Sequence, residues 1–162
     1  MFRGISMKRI FCIKTKRGIE IKIPINNKVT IITGDAATGK TKMIHCISDL
    51  LKDKSEIIET TITPESVIVC KDTDDVKTLV NGEEKGKIIF IDRYDSIEDV
   101  KPLISFIRET SNLFVIIAHK DVPQCGYDYS SILDMHHDGI KYEAKRLFNT
   151  PSDYITNTDV LV

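Results

Sequence analysis

The run Val29-Thr30-Ile31-Ile32-Thr33 passes without a break into Gly34-Asp35-Ala36-Ala37-Thr38-Gly39-Lys40-Thr41, and Met43, Ile44, Ile47, Leu50 and Leu51 then recur at helical spacing. An apolar β-branched run, a loop framed by two glycines and an amphipathic helix in immediate succession leave little freedom of fold. The strand has to be buried among others, and the helix has to lay its apolar stripe back across them. The 162 residues, 41% of them hydrophobic, suffice for one such core. A single domain is expected over residues 1–148, with residues 149–162 as a polar, mobile tail.

Ahead of that strand, Ile10-Phe11-Cys12-Ile13 and Ile19-Glu20-Ile21-Lys22-Ile23 flank Lys16-Arg17-Gly18 and predict a β-hairpin with a basic tip. Behind the helix, residues 57–63 and Ser66-Val67-Ile68-Val69-Cys70 are rich in β-branched residues and predict strands. The polar segment 71–86, with Asn81-Gly82 and Gly86, reads as a loop or at most a short helix over 76–80. Lys87-Ile88-Ile89-Phe90-Ile91-Asp92 and Leu113-Phe114-Val115-Ile116-Ile117-Ala118 are continuous apolar runs suited to parallel strands covered on both faces. Between them, a helix capped by Ser96 or starting at Pro102 runs toward Ser111. Asp138-Gly139 signals a closing hairpin between residues 132–137 and 140–148, with a helix over 141–148 as the competing expectation. The pattern predicts an α/β fold with a mainly parallel sheet, right-handed crossovers and antiparallel hairpins at the N- and C-terminal ends.

The formal net charge of -1 argues against a wholly basic nucleic-acid-binding chain. The balance is local, however: Arg3, Lys8, Arg9, Lys14, Lys16, Arg17, Lys22 and Lys28 face Glu20 alone in residues 1–28. This basic hairpin is either a footprint for nucleic acid or the solvated face of a turn. Cys12, Cys46, Cys70 and Cys125 lack disulfide or zinc spacing, and most sit in apolar runs as small hydrophobes. His136 and His137 are adjacent, so a strand points them to opposite faces and a shared metal is not expected. No apolar run is long enough for a transmembrane segment and no secretory pattern opens the chain, so a cytoplasmic location is expected.

The chemistry concentrates at residues 34–41. Gly34 and Gly39 let a polyphosphate approach the backbone, and the N–H groups of Asp35, Ala36, Ala37 and Thr38 with the helix dipole supply positive potential. Lys40 would reach the β- and γ-phosphates, and the Thr41 hydroxyl would take one position on Mg²⁺. Mg²⁺ favours one or two carboxylates besides phosphate oxygens, and Asp92, ending a neighbouring buried strand, is the expected complement. His119 either contacts the γ-phosphate or simply closes its strand. Arg93 either neutralises transition-state charge or pairs with Asp95.

On these residues the chain resembles the P-loop NTPase superfamily, with residues 34–41 as a Walker A motif and residues 87–92 as a Walker B motif. Within it the chain looks most like a compact ABC-type ATPase. It shares the hairpin before the Walker A strand, a later strand ending in His119 like the switch-histidine loop, and a closing hairpin at Asp138-Gly139. The likeness covers residues 7–148 and implies a three-layer sandwich binding ATP and Mg²⁺, with nucleotide state coupled to a protein partner or a second copy. Arg93 stands where the family carries a catalytic Glu, with Asp95 or Glu98 as its nearest substitutes. No Leu-Ser-Gly-Gly-type signature is present, and the interval 53–87 has no room for a helical subdomain. Two further functions follow from these departures. Asp92-Arg93-Tyr94 resembles the Asp-Arg-Tyr element of thymidylate kinases, which implies a nucleoside monophosphate kinase, while Arg93 in the Glu position suits a nucleotide-dependent switch without hydrolysis.

Overall fold

A computed structural model describes residues 9–33, 39–118 and 131–148. Its strands are β1 (Ile10–Thr15), β2 (Glu20–Pro24), β3 (Val29–Thr33), β4 (Ile57–Thr60), β5 (Val67–Cys70), β6 (Ile88–Ile91), β7 (Leu113–Ile117), β8 (Ile132–Asp138) and β9 (Lys141–Arg146). The helices are α1 (Lys40–Lys52), α2 (Thr73–Val80) and α3 (Lys101–Glu109). All nine strands form one sheet in the order β4-β1-β2-β9-β8-β3-β7-β6-β5. The block β8-β3-β7-β6-β5 is parallel throughout, and β9 returns antiparallel to β8 while running parallel to β2.

Alternation along the strands divides the interior in two. Ile32, Phe90, Val115, Ile117 and Leu133 face one side of the sheet, where α1 buries Met43, Ile44, Ile47 and Leu50. Val29, Ile31, Ile89, Ile91, Phe114 and Ile116 face the other, beneath Val76 and Leu79 of α2 and Leu103, Ile104, Phe106 and Ile107 of α3. Strands covered on both faces need apolar residues at consecutive positions, which is why β3, β6 and β7 carry unbroken apolar runs. Edge-to-face ring pairs hold each side: Phe11 on Phe90 at 5.0 Å and Phe106 on Phe114 at 5.9 Å.

Several local expectations change. The 71–86 segment holds a full helix from Thr73, because the Asp72 carboxylate accepts the Asp75 N–H and caps it. Ser96 caps no helix: its hydroxyl donates to the Arg93 carbonyl in a 3-10 turn, and α3 starts at Lys101, with Pro102 in its first turn. Residues 141–146 form β9 rather than a helix, since the turn at Asp138-Gly139, with Gly139 at φ 62°, returns the chain along β8 and alternation buries Tyr142 and Ala144. Tertiary pairing there overrides helix propensity. The two hairpins also lie on the same side of β3, with β9 and β8 inserted between β2 and β3.

Cys12 and Cys70 are buried and Cys46 is half-buried, all three as free thiols. Burial pushes the Cys70 thiol up from 9.0 to about 12, with Asp75 and Asp72 adding to the shift. A raised acid pKa favours the neutral folded form, so this contribution to stability is complete below pH 9.0 and declines as the pH rises toward about 12. In native protein at pH 8, Cys70 is expected to resist a thiol-specific disulfide reagent until the chain is denatured. Rapid native labelling of Cys70, read by peptide mass, would contradict its packing. Among the described residues, no helix is long and apolar enough to cross a membrane.

Candidate functional site

The parallel block sends the carboxyl ends of β8, β3, β7, β6 and β5 to one end of the sheet, where open α/β sheets place their ligand crevice. Ile32 of β3 pairs with Ile117 of β7, and Ile116 of β7 with Ile91 of β6. Asp92 therefore follows β6 at the level of Ile32. Its strand is not the neighbour of β3 that the sequence leads one to expect: β7 intervenes, which sets the β3 and β6 axes about 10 Å apart.

Gly34, Asp35, Ala36, Ala37 and Thr38 lie outside the described residues, as does His119. Gly39 is the N-cap of α1 at φ 86° and ψ 14°, left-handed backbone that glycine adopts at little cost. Its carbonyl accepts the Met43 N–H at 2.9 Å and opens the helix ladder. Lys40, the first helical residue, is only 5% exposed, whereas Thr41 is exposed. No acidic residue occupies the first turn of α1, and no side chain caps it. Among the described residues, the positive helix end is thus offset by neither a capping carboxylate nor a first-turn acid.

Asp92 is 4% exposed. Its backbone N–H donates to the Cys70 carbonyl at 2.9 Å, which extends the β5–β6 ladder by one residue, and its Oδ1 accepts the Arg93 N–H at 2.9 Å. Because Ile88 and Phe90 lie on the α1 side of β6, alternation puts Asp92 on that side as well. Arg93 then turns the chain at φ 56°, the single non-glycine residue with positive φ among those described. Such backbone costs about 1 kcal/mol or more and persists only where its surroundings hold it, here the Asp92 carboxylate and the Ser96 bonds to the Arg93 carbonyl. The Arg93 side chain is exposed. Glu98 lines a groove of about 620 Å³ between α2 and α3, with Val76, Val80, Ile97 and Leu103, on the sheet face opposite α1. None of residues 39–41, 92 or 93 lines that groove.

Two residues to which the sequence assigns no role at this site, His137 and Tyr142, complete this end of the sheet. Thr33, the last residue of β3, pairs with Asp134, so β8 continues past β3 and carries His137 about 10 Å beyond it. Leu133 and Met135 belong to the α1-side core, and His137 follows them on the same face. The His137 ring stacks on Tyr142 at 4.5 Å with planes 6° apart. A Cβ added to Gly39 would meet His137 Nδ1 at 3.0 Å, so the imidazole borders the start of α1 directly. Alternation in β8 is legible in the sequence, but the pairing of β8 with β3 is not.

The basic hairpin is largely neutralised within the fold. Lys14 lies 3.7 Å from both Glu20 and Glu59, Lys22 lies 3.6 Å from Glu20, and Arg17 lies 3.0 Å from Glu56. Exposed pairs of this kind contribute little stability, yet they reduce the positive potential a polyanion would meet. Among the described residues no group of three or more His, Cys, Asp or Glu converges to hold a metal by itself. Comparison with protein-family models finds no match for this chain, and comparison with curated proteins finds none either.

Proposed function

We propose that the chain binds a nucleoside triphosphate with Mg²⁺ at the carboxyl end of β3 and acts as a compact, ABC-like ATPase that couples nucleotide state to a partner. The observation that carries this reading is the buried Lys40 at the first position of α1, directly after the left-handed Gly39. Asp92 supports it as a buried carboxylate level with the end of β3 and on the α1 side of the sheet. In this reading Lys40 and the first N–H groups of α1 bind phosphate oxygens, while the Thr41 hydroxyl and Asp92 hold Mg²⁺, which would draw charge from the β- and γ-phosphates. Water would attack the γ-phosphorus as the bond to the β–γ bridging oxygen breaks, giving the nucleoside diphosphate, inorganic phosphate and a proton released to solvent. Arg93 occupies the position beside Asp92 from which a Glu would polarise that water, and a guanidinium cannot accept its proton. Slow turnover is therefore expected, with nucleotide occupancy rather than rapid hydrolysis carrying the signal.

The test is MgATP binding by calorimetry together with phosphate release, in wild type and Asp92→Asn. The variant should lose about tenfold or more of the Mg²⁺-dependent affinity, and its phosphate release should fall to background. Wild-type binding without release would leave the nucleotide-dependent switch as the function. Transfer to a nucleoside monophosphate would mark a kinase. Failure of the wild type to bind any nucleoside triphosphate would overturn the proposal.

A further inference from the structure

The imidazole of His137 is held on three sides and exposed on the remainder. Tyr142, buried beneath it, stacks nearly parallel at 4.5 Å. Nε2 lies 2.6 Å from the Gly139 carbonyl, and since a carbonyl only accepts, Nε2 carries the hydrogen and donates it. The Nδ1 edge borders Gly39, where an added Cβ would sit 3.0 Å from it. His137 itself is exposed. A flat ring fixed in orientation at the end of a hairpin, beside the first turn of α1, costs little ordering entropy when another flat group lands on it.

We infer that His137, backed by Tyr142, is the platform on which the base of the bound nucleotide stacks. This rests on the phosphate-binding reading of residues 39–41, and it deepens that reading by assigning the part of the ligand that the phosphate loop does not recognise. Stacking on an imidazole is tolerant of base identity, because every base presents a π-face. The platform therefore separates nucleotides from inorganic polyphosphate more than one nucleotide from another. It also gives the β8–β9 hairpin a role beyond completing the sheet: its tip measures whether a base accompanies the phosphates.

The test compares ATP with inorganic tripolyphosphate, both with Mg²⁺, on the full chain. Wild type should bind ATP more tightly than tripolyphosphate. His137→Ala should weaken ATP binding about 5- to 100-fold and leave tripolyphosphate affinity within about twofold. His137→Phe should retain most of the ATP affinity. The chain contains no tryptophan, so His137→Trp supplies a single indole whose emission ATP should quench and tripolyphosphate should not. Equal losses for both ligands in His137→Ala would show that the ring only braces Gly39 and would overturn the platform. An unchanged ATP affinity, or an emission indifferent to ATP, would overturn it too. If wild type binds neither ligand, the phosphate-binding reading itself fails, and the platform falls with it.

Discussion

Lys40→Ala is expected to weaken MgATP binding about 10- to 100-fold, the loss that follows from removing one or two charge-assisted hydrogen bonds to phosphate, about 1.5–3 kcal/mol in total. The effect should be large because Lys40 is 5% exposed, so its charge is little screened by solvent. Alanine is also a good helix former at this position, and the fold should survive the change. Lys40→Arg separates charge from shape: the planar guanidinium keeps the charge without the compact ammonium, so binding should be only partly restored. Calorimetric titration of the three proteins, with thermal midpoints measured alongside, reads the result directly. An alanine variant that binds MgATP as wild type does, at an unchanged midpoint, would remove Lys40 from the site.

The largest stability loss is expected at Phe90. This ring is fully buried on the α1 side of β6, meets Phe11 edge-on at 5.0 Å, and thereby joins the N-terminal hairpin to the parallel block. Phe90→Ala removes the ring and leaves a cavity that rigid strands on both sides cannot close, a cost of about 3–5 kcal/mol. Native domains are stable by only about 5–15 kcal/mol, so the variant should sit near the edge of folding at 37 °C. Ile58, 63% exposed on the edge strand β4, gives the comparison: Ile58→Ala should change stability by no more than about 0.5 kcal/mol. Urea unfolding followed by far-UV circular dichroism suits a chain without tryptophan. A Phe90→Ala loss below about 1 kcal/mol would mean that the core on the α1 side is less rigid than its packing implies.

The strands of the parallel block are legible in the sequence because burial on both faces forces apolar, β-branched residues into unbroken runs, as at Ile88-Ile89-Phe90-Ile91. The stripe on α1 is legible for the related reason that burial on one face repeats at helical spacing. The start of α2 is less so: it depends on a single carboxylate, Asp72, accepting one N–H, in a segment whose composition reads as loop. For 141–146, helix-favouring side chains compete with a turn signal, and the partner strand decides. Of the candidate site, Lys40 and Asp92 are legible because their roles attach to local motifs. His137 is not, since its importance arises from β8 lying beside β3, a long-range adjacency that no local pattern encodes.

That adjacency also bears on how the molecule is made. The last described strands of the chain, β8 and β9, occupy the middle of the sheet, bonded to β3 on one side and β2 on the other. During synthesis β2 and β3 leave the ribosome well before β9 and β8, since Ile132 follows Thr33 only after β4 to β7 have been made. Until then the N-terminal hairpin and the parallel block are two half-sheets with open edges, which calls for protection from pairing with other chains. Closure brings distant segments together, which slows folding, and it makes the molecule a single cooperative unit sealed from its centre outward.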